Sequence, residues 1–595
     1  MRLPLVIVID TECYKDYWLL SAKHLPTGRV KHFELYDDHP LTRGVSGTLS
    51  NYTSISFNGN GYDLPMIAAA CRGYNNKQLK ALSDQLITGK APAWKVCRER
   101  ELEIPASWDH IDLIEVAPGQ SSLKIYGGRL GAPTIQDLPL PPDASINAKC
   151  RELLKSYCVN DLDTTALLYE NLKSQISLRE DMGYQYGMDL RSKSDAQIAE
   201  NVIKSELSAL TGKQYRPAKI GKDPKFRYKD PKIIRFQTPE LRDVFKRILE
   251  TRFTMSPTGS VMLPDWLKEN KISIGRSQYQ MGIGGLHSCE KSQCVRAGDN
   301  ILCDMDVASY YPNIILQQGL APESLGEPFL RVYESIVKRR IKAKREGDSI
   351  TADTLKIAVN GSFGKLGSKY SALYSPDLLI QTTITGQLAL LMLIERLELA
   401  GISVVSANTD GVVSYCDKSK GPELEAIAFD WMLDTTYELE RQDYRVLASR
   451  DVNNYVAVTT DGKIKSKGVF APTGLMKNPD SVIVYEAVSQ QIATGKDAQQ
   501  TIKECRDILK FVTVRTVKGG AKWRDDLLGK AVRFYYSTSV AEDECIHYAA
   551  NGNRVPKSAG ARPLMSLPAE FPKDVDYKAY FVMAEKLLCE VGYYA

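Results

Sequence analysis

The apolar positions of this chain fall into two kinds of run. Short dense ones, Leu5–Asp10 and Ser54–Phe57, read as buried strands, and a longer stretch of helical periodicity, Asn147–Lys173, follows them. Up to about residue 175 this alternation predicts an α/β unit with acids at its strand ends. A second alternating region, Asp299 to Phe470, holds the densest set of acid-tipped and lysine-bearing segments. Within it, SVVSANTDGVVSY (403–415) reads as two valine-rich arms around a tight turn, for which Asn408, Asp410 and Gly411 supply the needed backbone angles. The most apolar helix, Gly386 to Ala400, carries Glu395 and Arg396, is too short to span a bilayer and is expected to be a core helix stopped by Gly401. Residues 475–595 show mixed helical patterns, a loop-like stretch with Pro563 and Pro568, and no catalytic cluster. No internal repeat or low-complexity tract is evident.

Composition narrows this picture. A chain of 595 residues exceeds one ordinary core, so three or more domains are expected. Hydrophobic and charged fractions of 43% and 25% are those of a soluble globular protein. A net charge of +5 permits a nucleic-acid partner without demanding one, so charge distribution matters more. The segment 212–236, GKQYRPAKIGKDPKFRYKDPKIIRF, interleaves its basic residues with Tyr215, Phe226 and Tyr228, as a groove tracking a nucleic-acid backbone does, and as many solvated surfaces do. The 12 cysteines form no CxxC and the 6 histidines show no zinc spacing, which argues against a disulfide framework or structural zinc and for a reducing cytoplasm. The opening MRLPLVIVIDTE reads as a buried strand, not a signal peptide.

Three acidic segments lie in the first region. Asp10 and Glu12 are two apart on a strand and share a face. Asp63 follows a glycine-rich stretch in ISFNGNGYDLPMI, where it also suits a helix cap. Tyr157 and Asp161 in LLKSYCVNDLDTTALL share one helix face. Asp-x-Glu alone arises easily by chance, but four carboxylates with a tyrosine suggest a cluster neutralised by divalent cations, and oxygen-only ligands suit Mg2+ or Mn2+.

The segments DTE, NGNGYD and YCVND resemble, in order, the three exonuclease motifs of the proofreading domain of family B DNA polymerases. The resemblance implies that Asp10, Glu12, Asp63 and Asp161 are metal ligands, that Tyr157 orients the attacking water, and that Asn58 and Tyr62 hold a single-stranded primer end. It matches Lys124, in SLKIYG, to a lysine near the scissile phosphate.

CDMDVASYYPNII (303–315) resembles motif A of the same family, with Tyr310 for its leucine and Asn313 for its last serine. Asp306 and the Val307 carbonyl are then metal ligands, and Tyr311 the ring that excludes a ribose 2′-hydroxyl. Asp304 has the same strand parity but no role in the motif. LKIAVNGSFGKLGS (355–368) places Lys356, Asn360 and Phe363 on one helical stripe and resembles motif B, with Gly361 for serine and Phe363 for tyrosine. The basic helix ESIVKRRIKAKRE suits a solvated surface by composition; the resemblance implies that Arg340 and Lys344, one turn apart, clamp a triphosphate, with Arg339 leaving the register open by one. Asn408-Thr409-Asp410-Gly411 resembles motif C, Asp-Thr-Asp-Ser, so Asp410 is the second shared ligand, while Asn408 and Gly411 depart from the pattern. MGIGGLHS (281–288), with Gly284 and Gly285, resembles the motif that coordinates primer traffic, and KIKSKG (463–468), with Lys465 and Lys467, resembles the one that grips the duplex.

The resemblance implies an α/β and α+β multidomain protein: a ribonuclease H-like 3′–5′ exonuclease domain over 1–175, a connecting DNA-binding region over 176–298, then a right-hand polymerase. Its parts are palm over 299–325, fingers over 326–370, palm over 371–472, and thumb with the C-terminal region over 473–595. The expected activity is primer extension with deoxynucleotides using two Mg2+ (or Mn2+) ions per site. Two intervals of fifty residues, 306 to 356 and 360 to 410, leave no room for the insertions of protein-primed relatives. A compact, phage-like enzyme is therefore expected, monomeric, off the membrane, lacking terminal-protein priming and an extra N-terminal domain, and modestly processive unless a partner intervenes. Two other readings stand beside it: a 3′–5′ exonuclease whose polymerase half is only a DNA-binding platform, and a non-catalytic nucleic-acid binding protein.

Overall fold

The structure is a computed structural model of the chain and describes residues 5–37, 39, 41, 44–217, 225–256 and 259–594. Residues 218–224 of the basic segment lie outside the described residues. The chain divides into two compact units: Met1–Ser194 with Thr473–Ile483 and Glu504–Tyr580, and Asp195–Pro472 with Val484–Lys503 and Phe581–Ala595. The stretch 473–595, expected to be one thumb region, is thus shared between them.

The first unit is built on a five-stranded sheet: β1 (Val6–Cys13), β2 (Tyr17–His24), β3 (Val30–Tyr36), β4 (Thr53–Ser56) and β5 (His110–Asp112), in the order β3-β2-β1-β4-β5. β1 pairs antiparallel with β2 and parallel with β4, so it is central, and Ile7, Val8 and Ile9 are buried. The helix expected over 147–173 runs unbroken from Ala148 to Tyr186, past the expected boundary at 175. Asn147 caps it through Cys150 N–H (3.0 Å), and Leu162, Leu168, Leu172 and Ile176 share a core with Val8, Ile55 and Ile111.

The second unit begins with the helix Asp195–Thr211 and a small sheet of β6 (Phe226–Arg227), β7 (Arg252–Met255) and β8 (Val261–Met262). Its main sheet has ten strands: β9 (Lys271–Ile274), β10 (Ser277–Met281), β11 (Leu286–Ser288), β12 (Gln293–Arg296), β13 (Ile301–Val307), β14 (Ser403–Asn408), β15 (Gly411–Cys416), β16 (Leu439–Asp451), β17 (Asn454–Thr459) and β18 (Ile464–Lys467). The order is β18-β17-β16-β13-β15-β14-β11-β10-β9, with β12 on β16. The helices Glu327–Glu346 and Ser349–Leu366 follow β13 in the chain, the second capped by Asp348 through Thr351 N–H (3.0 Å).

The apolar helix is longer than its sequence suggested, spanning Pro376–Leu399. It is long and apolar enough to cross a membrane, yet 89% of its most apolar window is buried within the protein. It is a core helix, and the buried Glu395 carboxylate is satisfied by Gln237 N–H (2.9 Å) and by Thr238 N–H (2.7 Å) and hydroxyl (2.5 Å).

The C-terminal part of the first unit differs most from expectation. The stretch 475–595 has the expected helices at Val482–Thr494, Ala498–Glu504 and Tyr577–Glu590, but between them it carries a four-stranded sheet, β19 (Thr513–Trp523), β20 (Asp526–Tyr536), β21 (His547–Tyr548) and β22 (Ala561–Pro563), in the order β21-β19-β20-β22. The β19/β20 register shifts between Thr516 and Ala521, so the alternation that would mark β19 as a strand is broken at its middle.

Two candidate active sites

The first unit brings Asp10, Glu12 and Asp161 together: one oxygen from each lies within 4.8 Å of the others. β1 supplies the first two and the helix Ala148–Tyr186 the third. Burial chiefly pushes all three carboxyls up; repulsion within the cluster adds to it at Asp10 and at Glu12, which reaches about 8, whereas at Asp161 the Lys124 ammonium opposes it. The Cys158 thiol donates to Asp10 Oδ2 (3.2 Å). Asp63, at the start of the helix Asp63–Cys71, is held differently, accepting from Thr11 N–H (3.0 Å) and Thr11 hydroxyl (2.6 Å). Its carboxyl, raised by burial to about 7, adds repulsion at Asp10 and Glu12 without joining the three-oxygen cluster.

Lys124, on the helix Leu123–Leu130, donates to the Tyr157 hydroxyl, lies 4.5 Å from that ring's centre and is 4.0 Å from Asp161 Oδ2. The NGNG loop is pinned from beneath: buried Asp112 accepts from Asn58 N–H (2.8 Å) and Asn60 N–H (2.9 Å). Asn58 is thereby exposed with φ of 68°, whereas the Tyr62 hydroxyl is turned to Ser83 Oγ (2.7 Å).

In the second unit, Asp306 of β13 sits opposite Gly411 of β15, and the Val307 N–H donates to the Asp410 carbonyl (2.7 Å). The pairing of β13 with β15 therefore brings Asp306 and Asp410 into one cleft, which Asp304, Asn408, Tyr444, Tyr455, Lys465 and Lys467 also line. Burial, then repulsion from Asp304 and Asp410, raises Asp306 to about 7, against which Lys465 and Lys467 act. Burial also raises Asp410, opposed by Lys467. A Cβ on Gly411 would fall 2.1 Å from Asp306 Oδ1, so no side chain fits there while the carboxylate holds its place. Asn408 turns its amide to local backbone, its Nδ2 3.3 Å from the Val452 carbonyl, and its Oδ1 accepts from the Thr409 hydroxyl (3.0 Å).

Three other segments converge here. The Tyr311 ring stacks on Phe363 (4.4 Å, 20°) and its hydroxyl donates to the Gly284 carbonyl (2.7 Å). Gly285 lies against Thr409, whose N–H donates to the Leu286 carbonyl (2.7 Å). Arg340 reaches the Ser309 hydroxyl (3.5 Å), in the turn after Asp306, while Arg339 pairs with Glu206 (2.6 Å). Lys344, Lys356 and Asn360 are exposed on their helices.

Both acidic clusters suit divalent cations on this chemistry: buried carboxylates, oxygen donors only, and mutual repulsion that a cation relieves.

No family model matches the chain. DNA polymerase 1 of Aeropyrum pernix is 23% identical over 260 residues, 35% of this chain and 26% of that protein. DNA polymerase 2 of the same organism is 22% identical over 271 residues, 38% of this chain and 32% of that protein. The chain thus spans about a third or less of the length of these curated relatives. Among solved structures, the family B DNA polymerase from the hyperthermophilic archaeon Pyrobaculum calidifontis aligns with 99% of this chain and 78% of its own, at 14% identity and a TM-score of 0.42.

The chain is similar to DNA polymerases over about a third of its length.

Several residues of this polymerase-like chain escaped the sequence reading. Tyr444 donates to Asp304 Oδ2, and Lys465 lies 3.3 Å from the Tyr444 hydroxyl, so Asp304 belongs to the cleft. Strand parity hinted at Asp304; Tyr444 lies on another strand and gave no signal. Thr11, Cys158 and Asp112, which hold the exonuclease-like carboxylates and loop, are ordinary residues by type, and only their contacts reveal them.

Proposed function

We propose that the chain is a template-directed DNA polymerase that extends a primer 3′-hydroxyl with deoxynucleotides and proofreads by 3′–5′ exonuclease hydrolysis. The observation that supports it best is the pairing of β13 with β15 that brings Asp306 and Asp410 into one cleft, beside the Tyr311–Phe363 stack and Arg340. Similarity to two DNA polymerases favours the same reading.

In this reading Asp306, Asp410 and the Val307 carbonyl hold Mg2+ or Mn2+. Such ions would supply activation of the attacking hydroxyl and neutralisation of the departing pyrophosphate. Arg340, Lys344 and Lys356 bind the triphosphate by charge-assisted hydrogen bonds. The Tyr311 ring, fixed by Phe363 and Gly284, walls the sugar pocket, and Lys465 and Lys467 contact the primer-template backbone. Asp10, Glu12 and Asp161 are the direct ligands of the exonuclease site, with Asp63 acting on the cluster from its place on Thr11. Tyr157 orients the attacking water, Lys124 faces the scissile phosphate, and Asn58 and Tyr62 line the path of the frayed strand.

Asn408 favours a second reading, an exonuclease whose polymerase half only binds DNA. Extension of a labelled hairpin with magnesium and deoxynucleotides separates the two. We expect extension that Asp410→Ala abolishes and Asp10→Ala leaves intact; degradation alone, persisting as the only activity until Asp10→Ala removes it, would overturn the polymerase reading.

A further inference from the structure

Asp137 has no part in the three carboxylate motifs, yet it joins the exonuclease-like site to the C-terminal sheet of the same unit. Its Oδ1 lies 3.6 Å from Lys124 Nζ and accepts from its neighbour Leu138 N–H (3.0 Å). Its Oδ2 accepts from Lys530 N–H of β20 (3.0 Å). The approach requires a glycine in the partner strand: Gly529 has φ of +86°, and a Cβ there would fall 2.4 Å from Asp137 Cβ. The contact is continued on both sides. Buried Arg533 donates to the carbonyls of Ala132 (2.9 Å) and Leu564 (2.8 Å), and Val514 and Ala531 pack on Ile125 and Ile135. A cavity of about 500 Å³ opens beside Asp137, lined by Tyr157 on one wall and by Gly519, Gly520 and Leu527 on the other.

We propose that Asp137 is a positioning residue, through which the C-terminal sheet sets the place of Lys124 over Tyr157 and Asp161. This rests on the exonuclease reading of that site. The Lys124 ammonium faces Tyr157, Asp161 and Asp137 and acts on Glu12 as well, and of these Asp137 is held by backbone donors from its own segment and from β20. An ion pair this open adds little to stability, so its worth lies in where it holds the amine.

The test uses the full chain with Asp137→Ala and Gly529→Ala. Digestion of a single-stranded oligonucleotide in Mg2+ should slow about ten-fold in kcat for each, with KM within about two-fold. Primer extension by the other unit should be unchanged. Asp137→Ala should cost nothing further in a Lys124→Ala background. In metal-free protein, mass-spectrometric amine labelling of Lys124 should rise several-fold in Asp137→Ala at an unchanged melting temperature. Full kcat in Asp137→Ala, a loss that adds to that of Lys124→Ala, or unchanged labelling of Lys124 overturns the proposal. A wild-type chain that digests nothing overturns the exonuclease reading itself and this inference with it, and that control is read before any variant.

Discussion

At the scale of single residues, the β14/β15 hairpin separates side chains that would act from those that hold shape. Asp410 lines the cleft with Asp306, and its carboxyl is raised by burial, whereas the Asn408 amide is occupied by Thr409 and Val452. Asn408→Ala should therefore keep primer extension within about ten-fold of wild type, while Asp410→Ala loses about a thousand-fold or more, as expected for a ligand of the reacting ions. Single-turnover extension measures both, and equal losses would show that Asn408 acts in the chemistry. Gly411 is informative in another way. Its departure from serine looked like decay in the sequence, but the missing Cβ is space that Asp306 uses. Gly411→Ala should thus displace the Asp306 carboxylate and cut extension at least about ten-fold, with a melting temperature shifted by only a few degrees.

At the scale of elements, what the sequence revealed was local and what it hid was not. β1 and the β14/β15 hairpin were legible because they are short, dense apolar runs whose acids sit at strand ends or in the turn, a signal that survives the register shift between Val404 and Ser406. The helix Pro376–Leu399 was read short because its first turns are interrupted by Gln381, Thr382, Thr383 and Thr385, polar positions that are buried within the protein. β19 was missed because the irregularity between Thr516 and Ala521 shifts its pattern to the other face. The site residues found by type were the carboxylates; Tyr444 and Asp137 are defined by partners far along the chain. The acid cluster on β1 carries a pH prediction of its own. Glu12 and Asp63 have folded-state values raised by burial to about 8 and about 7, from 4.5 and 3.8. The folded state therefore binds more protons than the unfolded one between those limits. The stability they contribute is full below about pH 4 and is lost as pH rises through 7 to 8. In chelator, the melting temperature of the first unit should fall by a few degrees from pH 5 to pH 8, and millimolar Mg2+ or Mn2+ should raise it more at pH 8 than at pH 5. A metal-free melting temperature that climbs over this range would contradict the assignment.

At the scale of the whole molecule, chain order and physical unit do not coincide. The first unit recruits Glu504–Tyr580 from beyond the entire main sheet of the second, so its integrity depends on residues far from its acids in sequence. Arg533 makes the dependence concrete. It is fully buried on β20, and burial lowers its guanidinium to about 10, yet no carboxylate pairs with it among the described residues; backbone carbonyls of Ala132 and Leu564 accept its hydrogen bonds. Replacing it by methionine keeps the volume but strands those carbonyls, each loss of a buried partner costing about 1–3 kcal/mol. Because both acceptors belong to the first unit, Arg533→Met should lower the melting transition of that unit, followed by loss of protection at Ala132–Asp137 in hydrogen exchange. The transition of the second unit, with its Asp306 and Asp410, should stay where it is. A single transition shifted as one, with exchange rising equally in β13 and β15, would mean that the two units fold as one cooperative body.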